Sequence, residues 1–266
     1  MSLQKVAVIT GGTSGLGFAA ALKLAAEGYQ INLLDLYPED AQAKVDQLPK
    51  NTDYYQCDVT DAKRCSEIVD KIQAKRGQIN VLLNAAGYGV IAPILSSKPA
   101  IGMIGKDAEV SEDKANGFAK ILAVNVIGTY NMIRFAAAKM VKNTPYGKYK
   151  ERGVIVNISS TSSLEGQNGQ VMYGGSKAAV NGMTMPVARD LGKHGIRCVC
   201  IAPGPINTPM TDSFNDKIRN GMNQQAALGR MGEAEEFGQA CMMVVNSSFM
   251  TGNIVRLDGG IRLPKL

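Results

Sequence analysis

A tyrosine and a lysine lie four positions apart in the stretch VMYGGSKAAV, residues 171–180. On a helix, Tyr173 and Lys177 would share one face. A phenol with a pKa of about 10 is a poor base at neutral pH, but a neighbouring ammonium group favours the phenolate. Such a pair could take the proton of an alcohol or, in reverse, deliver one to a carbonyl oxygen. The alternative is that the pair belongs to a solvated helix face.

Two glycines, Gly174 and Gly175, separate the tyrosine from the lysine. In a helix interior each costs about 1 kcal/mol relative to alanine. We therefore expect them near the start of the helix, where the cost is smaller. They would permit close backbone packing beside a cofactor or a neighbouring subunit, or they are tolerated without a role.

A glycine cluster, TGGTSGLG at Thr10–Gly17, follows an apolar run and leads into an apolar stretch of helical length. Gly11 would permit a sharp turn, Gly15 a close approach to a pyrophosphate, and Gly17 close packing of the helix on the sheet. The N–H groups and the positive dipole end of the helix would face the phosphates. The cluster predicts a dinucleotide site, although turns are glycine-rich for other reasons too.

An aspartate, Asp35, lies in the run NLLDL, residues 32–36, 18 residues beyond Gly17. A carboxylate here accepts hydrogen bonds from the adenine ribose hydroxyls of NAD and repels the 2′-phosphate of NADP. Its expected neighbours Leu36, Thr13 and Ser14 supply no basic side chain for that phosphate. The sequence therefore predicts NAD, and the alternative is an ordinary strand-end turn residue.

Short apolar or β-branched runs alternate along the chain with amphipathic stretches of helical length. Such runs are typical of strands covered on both faces, and the alternation requires right-handed parallel crossovers. We predict an α/β fold, a Rossmann-type doubly wound parallel sheet of about seven strands with helices on both faces. The predicted strands are Val6–Thr10, Ile31–Leu34, Tyr54–Gln56, Asn80–Asn84, Val154–Ile158, Cys198–Ala202 and Ile254–Leu257. The predicted helices are Leu16–Glu27, Ala62–Lys75, Phe118–Val141, Ser176–Gly192 and Glu233–Asn246.

The length of 266 residues, 45% of them hydrophobic, suits one domain over residues 1–266. Two irregular segments, an insertion at about 89–113 and a loop at about 203–231, are candidates for substrate contacts, because ligands lie beyond the carboxyl ends of strands. The net charge of +6 is scattered, which favours a soluble basic enzyme over a binder of nucleic acid or membranes.

Several functional classes are disfavoured by the composition. No apolar run reaches the roughly 18 to 20 residues of a membrane helix, and the N-terminus enters a strand too soon for an obvious presequence. The five cysteines lack metal spacing and are expected to be core residues. The one histidine, His194, is expected at a helix C-terminus. We predict neither a metal site nor a histidine base.

Further motifs complete a pattern that resembles the short-chain dehydrogenase/reductase family over almost the whole chain. The glycines follow that family's Gly-x-x-x-Gly-x-Gly spacing. The other matching motifs are CDV with Asp58 and Val59, NAAG at Asn84–Gly87, VNVIGT with Asn125, NISS with Ser160, YGGSK with Tyr173 and Lys177, and PGPINTPM at Pro203–Met210.

The resemblance implies a role for each matching side chain near the reaction. Tyr173 exchanges the proton and Ser160 hydrogen-bonds the substrate oxygen. Lys177 also contacts the nicotinamide ribose, and Asn125 positions Lys177 through a water in a proton relay. Taken singly, Ser160 could be a strand-end cap and Asn125 a helix kink. Gln167, in EGQNGQ, would contact substrate near Ser160 or serve a turn.

The resemblance also implies NAD (NAD+/NADH) as cofactor. Asp58 and Val59 would flank the adenine, and Thr208, with Pro205 and Ile206, would lie over the nicotinamide carboxamide in a mobile substrate loop. The full set of implied cofactor-binding residues is Gly11, Ser14, Gly15, Leu16, Gly17, Asp35, Asp58, Val59, Asn84, Ala85, Gly87, Tyr173, Lys177, Pro203, Ile206 and Thr208.

Within the family, the sequence resembles members that interconvert 3-hydroxyacyl-CoA and 3-oxoacyl-CoA. The alternatives are a hydroxysteroid or broad secondary-alcohol dehydrogenase, and a scaffold subunit of a mitochondrial tRNA-processing complex. The resemblance implies a homotetramer and a mitochondrial location, with the cytoplasm as the alternative. Lys98, Lys106 and Lys114 could attract the phosphates of an acyl-CoA or lie in a solvated loop.

Overall fold

The computed structural model describes residues 4–37, 39, 41–94, 101–102, 114–212 and 214–262. The strands are β1 Val6–Thr10, β2 Gln30–Asp35, β3 Asp53–Gln56, β4 Val81–Asn84, β5 Val90–Ile91, β6 Ile101–Gly102, β7 Gly153–Ile158, β8 Ile196–Pro203, β9 Ile206–Asn207, β10 Gly232–Glu233 and β11 Ile254–Leu257. The helices are α1 Gly15–Ala26, α2 Ala41–Val45, α3 Ala62–Arg76, α4 Lys114–Leu122, α5 Thr129–Met140, α6 Val171–Gly192, α7 Asp216–Gln225 and α8 Ala234–Asn246. A π-helical turn, Ala123–Gly128, joins α4 to α5, and a 3₁₀ turn, Thr161–Ser163, follows β7.

Seven parallel strands form the central sheet, in the order β11-β8-β7-β4-β1-β2-β3. The chain moves outward from β1 through β2 to β3, and then returns to β4 on the other side of β1. The topological switch point therefore lies between β1 and β4, where Thr10 pairs with Asn84. A crevice at the carboxyl ends of these strands is the usual ligand site of such a sheet. The predicted doubly wound fold of seven strands is confirmed.

The two faces of the sheet bury separate hydrophobic clusters because successive strand residues point to opposite sides. From β1, Ala7 and Ile9 pack with α1 and α8, whereas Val6 and Val8 pack with α3 and α5. The five cysteines are buried and free, as expected of core residues.

Helix α6 begins at Val171, five residues earlier than predicted, so the catalytic tyrosine candidate lies in its first turn. The glycines of YGGSK accordingly lie near the helix start, as predicted. Gly174 also packs closely, since an added Cβ would lie 2.8 Å from the carbonyl oxygen of Ser162. Adding a Cβ at Gly175 would bring no atom closer than 3.9 Å. The earlier start has a simple reason: glycine lowers helix propensity but does not prevent a helix in the first two turns.

Among the described residues, one helical segment, Gly117–Met140, is long and apolar enough to cross a membrane, with a mean hydropathy of 1.3 over its apolar window. The sequence expectation missed it because Lys120 and Arg134 interrupt the apolar run. Half of that window is buried inside the fold, as in the core helix of a soluble protein.

Most of the predicted insertion, with Lys98 and Lys106, lies outside the described residues. Lys114 begins α4. The structure also has short elements that the sequence pattern did not indicate, among them α2, α7, and the pair of β9 with β10.

Candidate active site

The glycine turn after β1 is packed backbone against backbone. Gly11 has a φ of +59°, and a Cβ there would lie within 2.9 Å of the backbone of Ala85. A Cβ on Gly17 would lie 2.2 Å from the carbonyl oxygen of Gly11. The hydroxyl of Thr10 accepts hydrogen bonds from the backbone N–H groups of Ala85 and Ala86, both at 3.1 Å. These contacts hold NAAG beside the glycine turn.

The N-terminus of α1 is available to an anion. Ser14 is the N-cap residue, but its side chain makes no capping hydrogen bond, and the first turn contains no acidic residue. Gly15 has a φ of +47°, and a Cβ there would come no closer than 3.6 Å to Thr208. The first N–H groups of the helix therefore lack the usual side-chain acceptor, which is the arrangement that binds phosphate.

The carboxylate of Asp35 is tied to the glycine turn. Its Oδ2 accepts hydrogen bonds from the Thr13 backbone N–H at 3.0 Å and the Thr13 hydroxyl at 2.6 Å. Its Oδ1 accepts from the backbone N–H of Leu36 at 2.8 Å. Oδ1, which accepts only one hydrogen bond from the described residues, retains acceptor capacity for a ribose hydroxyl. Asp35 thus has the turn role of the alternative interpretation and remains positioned for the predicted cofactor contact.

The loop after β3 carries the predicted adenine residues. Oδ1 of Asp58 accepts from the backbone N–H and the hydroxyl of Thr60, both at 2.8 Å. Val59 is buried, and its carbonyl oxygen accepts from Asn131 Nδ2 at 3.0 Å. A Cβ on Gly128 would meet the Val59 side chain at 2.4 Å. The π-helical turn therefore packs directly against this loop.

The side chains predicted to do chemistry gather around Gly87. An added Cβ at Gly87 would lie 3.0 Å from Asn125 Oδ1 and 3.3 Å from Lys177 Nζ. Lys177 is buried; its Nζ donates to the carbonyl oxygen of Ile158 at 3.0 Å and lies 5.9 Å from the centre of the Tyr173 ring. A larger residue at position 87 would require Asn125 Oδ1 and Lys177 Nζ to shift by a few tenths of an ångström.

Burial changes the acid–base properties of the pair. It lowers the pKa of Lys177 from 10.5 to about 8, with a smaller opposing electrostatic effect from Cys200. It raises the pKa of Tyr173, while a hydrogen bond with Ser160 acts in the opposite direction. Desolvation thus disfavours the charged form of both groups, so an added positive charge beside the phenol would favour its ionisation.

Asn125 lies in the π-helical turn, which is the helix irregularity expected at this residue. The same residue is the one expected to belong to the site. Its Oδ1 accepts from the backbone N–H of Tyr88 at 3.0 Å. Its Nδ2 donates to the carbonyl oxygen of Tyr88 and to Ser176 Oγ, both at 2.9 Å. Ser176 Oγ in turn donates to the carbonyl oxygen of Tyr173 at 2.8 Å. Sequence reasoning missed Ser176, which connects Asn125 to the backbone of the catalytic tyrosine candidate.

Ser160 has the predicted cap role, because its Oγ accepts from the backbone N–H of Ser162 at 3.1 Å and so caps the 3₁₀ turn. Its side chain also lowers the pKa of Tyr173 by hydrogen bonding, in opposition to burial. The contact of Ser160 with the substrate oxygen stays a prediction. The preceding Ser159 donates through Oγ to the carbonyl oxygen of Lys177 at 3.0 Å. The end of β7 is thereby fixed to α6.

The segment after β8 is held by side chains. Arg219, on α7, donates to Asn207 Oδ1 at 3.2 Å and to the carbonyl oxygens of Thr211 and Phe214 at 2.8 and 3.3 Å. Asn207 Nδ2 donates to Glu233 at 2.7 Å. Sequence reasoning missed Arg219, because an isolated arginine in an irregular segment carries no motif signal.

The other residues predicted on the substrate side have local partners. Gln167 donates through its backbone N–H to Gln170 Oε1 at 3.1 Å, in keeping with a turn role. Its Nε2 reaches Gln225 Oε1, on α7, at 3.5 Å. Pro203 ends β8 and Ile206 is buried in β9.

A cleft of about 530 Å³ lies beside the glycine turn, with Thr13, Ser14 and Gly15 on one side and Thr208 and Pro209 on the other. A larger concavity of about 700 Å³ lies elsewhere, at Tyr149 and Phe249, and contains none of the predicted site residues. In the part of the chain that the structure describes, no three His, Cys, Asp or Glu side chains are grouped to hold a metal ion.

Comparison with known proteins gives full-length similarities. The family described as enoyl-(acyl carrier protein) reductase matches residues 11–262. The 3-hydroxyacyl-CoA dehydrogenase type-2 of Bos taurus is 38% identical over 259 residues, covering 97% of this chain and 95% of that protein. A 3-oxoacyl-[acyl-carrier-protein] reductase of Thermotoga maritima is 34% identical over 262 residues, covering 97% of each. The crystal structure of 3-hydroxyacyl-CoA dehydrogenase type-2 from Mycobacterium avium matches with a TM-score of 0.86 at 29% identity, over 98% of this chain and 97% of that one.

Proposed function

The chain belongs to the short-chain dehydrogenase/reductase family of oxidoreductases, and we propose that it interconverts 3-hydroxyacyl-CoA and 3-oxoacyl-CoA with NAD as cofactor. The observation that carries this proposal is the grouping of Tyr173, Lys177, Ser160 and Asn125 at the carboxyl edge of the sheet, next to the glycine turn. A group that exchanges a proton, placed beside a predicted dinucleotide-binding turn, can support the interconversion of an alcohol and a ketone by hydride and proton transfer.

The residues around the crevice fit a nicotinamide dinucleotide. The uncapped start of α1 would bind the pyrophosphate, and Gly15 leaves space beside Thr208 for it. Asp35 would accept from the adenine ribose, which favours NAD over NADP. When bound, the nicotinamide supplies or accepts the hydride.

The protein's own groups would handle the proton and the substrate oxygen. Ser160, which lowers the pKa of the Tyr173 phenol, would orient that oxygen toward the phenol. Tyr173 Oη would then receive the hydroxyl proton during oxidation or deliver it during reduction. The buried Lys177 ammonium lies beside the Tyr173 ring and would favour the phenolate.

The choice of a CoA thioester is supported by the similarity to the bovine protein named 3-hydroxyacyl-CoA dehydrogenase type-2. The similarity to the bacterial reductase named for acyl carrier protein makes that thioester the second candidate. NADH and NADPH oxidation should be measured with acetoacetyl-CoA, acetoacetyl-acyl carrier protein and a panel of ketosteroids. We expect acetoacetyl-CoA with NADH to give the highest kcat/KM. No turnover of acetoacetyl-CoA would contradict the proposal, and turnover of steroids alone would favour the hydroxysteroid alternative.

Replacing Tyr173 with phenylalanine tests the assigned chemistry. Because the phenol exchanges the proton, Tyr173→Phe should lower kcat by about 10²-fold to 10⁴-fold, with the dissociation constant of NADH, measured by fluorescence titration, little changed. The matched control is Tyr130→Phe, at a half-exposed position on α5. Equal activity of the two variants would contradict the role of Tyr173.

The homotetramer remains a proposal, supported by apolar side chains that lie exposed on helices. Ile127 and Tyr130 are about half exposed near Asn125, and Val171 and Met185 are similarly exposed on α6. Sedimentation velocity would test the tetramer directly, and a monomer at micromolar concentration would contradict it. The mitochondrial location, the cytoplasmic alternative and the tRNA-processing scaffold remain predictions.

A further inference from the structure

Two of the buried cysteines face each other at the edge of the predicted cofactor site. Cys57 follows β3, Cys65 lies in the first turn of α3, and their Sγ atoms are 3.8 Å apart. Other buried cysteines have different surroundings: Cys198 contacts the Asn157 amide at 3.6 Å, and Cys200 contacts the Asn181 amide at 3.4 Å. The reaction proposed above uses none of these thiols.

The facing thiols lie directly behind the loop predicted to contact the adenine. Cys65 Sγ donates toward the carbonyl oxygens of Val59 at 3.5 Å and Asp58 at 3.7 Å. That loop, residues 58–60, connects the two cysteines to the crevice surface. Loss of the donation from Cys65 Sγ therefore acts on Val59, which is itself packed against Gly128.

We propose that Cys57 and Cys65 form a reversible disulfide that lowers the affinity of the protein for its dinucleotide cofactor. The oxidant is a peroxide. The bond itself depends only on the two thiols, whereas its effect on the cofactor rests on the proposed function.

The chemistry proceeds in two steps. The Cys65 thiol releases its proton to water and the thiolate attacks one oxygen of hydrogen peroxide; the O–O bond breaks, a sulfenic acid forms on Cys65, and the departing hydroxide takes up the released proton and leaves as water. The Cys57 sulfur then attacks the Cys65 sulfur; the S–O bond breaks, and the departing hydroxide leaves as water with the Cys57 proton. The two sulfurs lose two electrons, which the peroxide gains.

The local hydrogen bond favours this order of attack. The Cys57 thiol donates to Cys65, which lowers the pKa of Cys65 and raises that of Cys57. The thiolate is the nucleophilic form. Cys65 is therefore the group that reacts first, and Cys57 is the group that closes the bond.

Both thiols are at most 3% exposed, so an oxidant reaches them when the edge of the sheet opens locally. β3 is four residues long, lies at the edge of the seven-stranded sheet and is only partly buried. Such short edge elements open at lower free energy than a central strand. The sulfurs must then approach from 3.8 Å to about 2.05 Å, which removes the thiol bond to Val59.

The effect on the cofactor must be reciprocal. If the disulfide weakens NADH binding by a given factor, saturating NADH must shift the thiol–disulfide equilibrium toward the thiols by the same factor. We expect a factor of about five, because one loop contact in the binding surface is displaced.

The test uses the full chain and hydrogen peroxide. Intact mass should fall by two hydrogen masses, peptide mapping should join Cys57 to Cys65, and dithiothreitol should reverse both. The NADH dissociation constant should rise about fivefold on oxidation. In a glutathione redox buffer, saturating NADH should raise the thiol-to-disulfide ratio by the same factor.

Control variants separate this pair from general oxidation. Cys65→Ser and Cys57→Ala should bind NADH normally and be insensitive to peroxide, whereas Cys241→Ser, in the other core cluster, should respond like the unchanged protein. A reduced protein that binds no NADH contradicts the proposed function. A reduced protein that binds NADH but forms no Cys57–Cys65 bond, or forms it with unchanged affinity, overturns this proposal alone.

Discussion

The cofactor side of the crevice, residues 10–87, and the substrate side, residues 158–232, differ in the closest contacts of their loops. On the cofactor side, the glycine turn meets the Ala85 backbone directly, and Gly17 meets the Gly11 carbonyl group. On the substrate side, Arg219 and Asn207 hold the loop through side-chain hydrogen bonds. A backbone contact at such distances excludes any added atom, whereas a side-chain contact can be lost without a clash.

The helices of the two sides differ in how many residues they bury. α1 buries five residues, Gly17, Phe18, Ala20, Ala21 and Leu24, whereas α7 buries none. A helix without buried residues is stabilised by its hydrogen bonds and opens at low free energy. We infer that the cofactor side is preformed and that the substrate side is the part able to rearrange around a ligand.

The largest effect should come from Gly17→Ala. Its Cβ would lie 2.2 Å from the Gly11 carbonyl oxygen, so the helix or the turn must move. We expect loss of NADH binding and a decrease of about 3 kcal/mol or more in the free energy of unfolding, as for a severely overpacked site. Urea unfolding and NADH titration measure the two effects. Unchanged NADH affinity would contradict the proposed difference between the two sides, because the cofactor side would then tolerate added atoms.

Lys177 gives the substrate side a pH-dependent stability. Burial lowers its pKa from 10.5 to about 8. Between these values the unfolded chain binds the proton and the folded protein does not, so the free energy of unfolding rises with pH through this window. Below about pH 8 Lys177 is protonated in both states, and burial of its charge then lowers the free energy of unfolding by the full amount.

Lys177→Met should remove this dependence. The variant should gain roughly 3 kcal/mol relative to the unchanged protein at pH 7, apart from its altered packing, and this advantage should diminish as the pH approaches 10. Urea unfolding of both proteins at several pH values gives the difference. Parallel curves over this range would show that the buried ammonium is not destabilised.

The sequence predicted the strands and the first helix of the cofactor side closely because their constraints are local. Gly11 and Gly17 satisfy steric requirements that recur in any strand–turn–helix phosphate site, and Asp35 ends a recognisable strand. The site around Gly87 was predicted residue by residue only through the resemblance. No spacing rule indicates that Asn125 and Lys177 meet there, because they come from separate helices.

The sequence could not predict the substrate side because its contacts depend on tertiary placement. Arg219 becomes a loop anchor only where α7 brings it beside Asn207. Ser176 connects Asn125 to Tyr173 only because the π-helical turn lies against α6. The start of α6 was predicted too late for a different reason, since the glycine cost was given too much weight against packing.

Arg219→Met should have an intermediate effect. It removes the hydrogen bonds to Asn207, Thr211 and Phe214 and the ion pair with Asp212. Each contact is worth about 1 kcal/mol at most in this partly exposed position, and the substitution introduces no clash. We expect the KM of the acyl substrate to rise about fivefold to tenfold, with a smaller change in kcat and an unchanged NADH dissociation constant. Lys217→Met, at an exposed position on the same helix, is the matched control. A larger loss of NADH binding than of substrate binding would place Arg219 on the cofactor side of the comparison.

The smallest effect, Gly221→Ala, is the counterpart of Gly17→Ala. Gly221 lies inside α7, and a Cβ there would have no neighbour within 4 Å. Alanine should therefore stabilise α7 by about 0.5 to 1 kcal/mol through helix propensity alone. Because α7 buries no residue, it should open before the core does, so the gain should appear in hydrogen exchange of the α7 amides, with about three- to fivefold greater protection, and hardly in global unfolding. An equal gain in global stability would mean that α7 unfolds together with the core, and the substrate side would then be as preformed as the cofactor side.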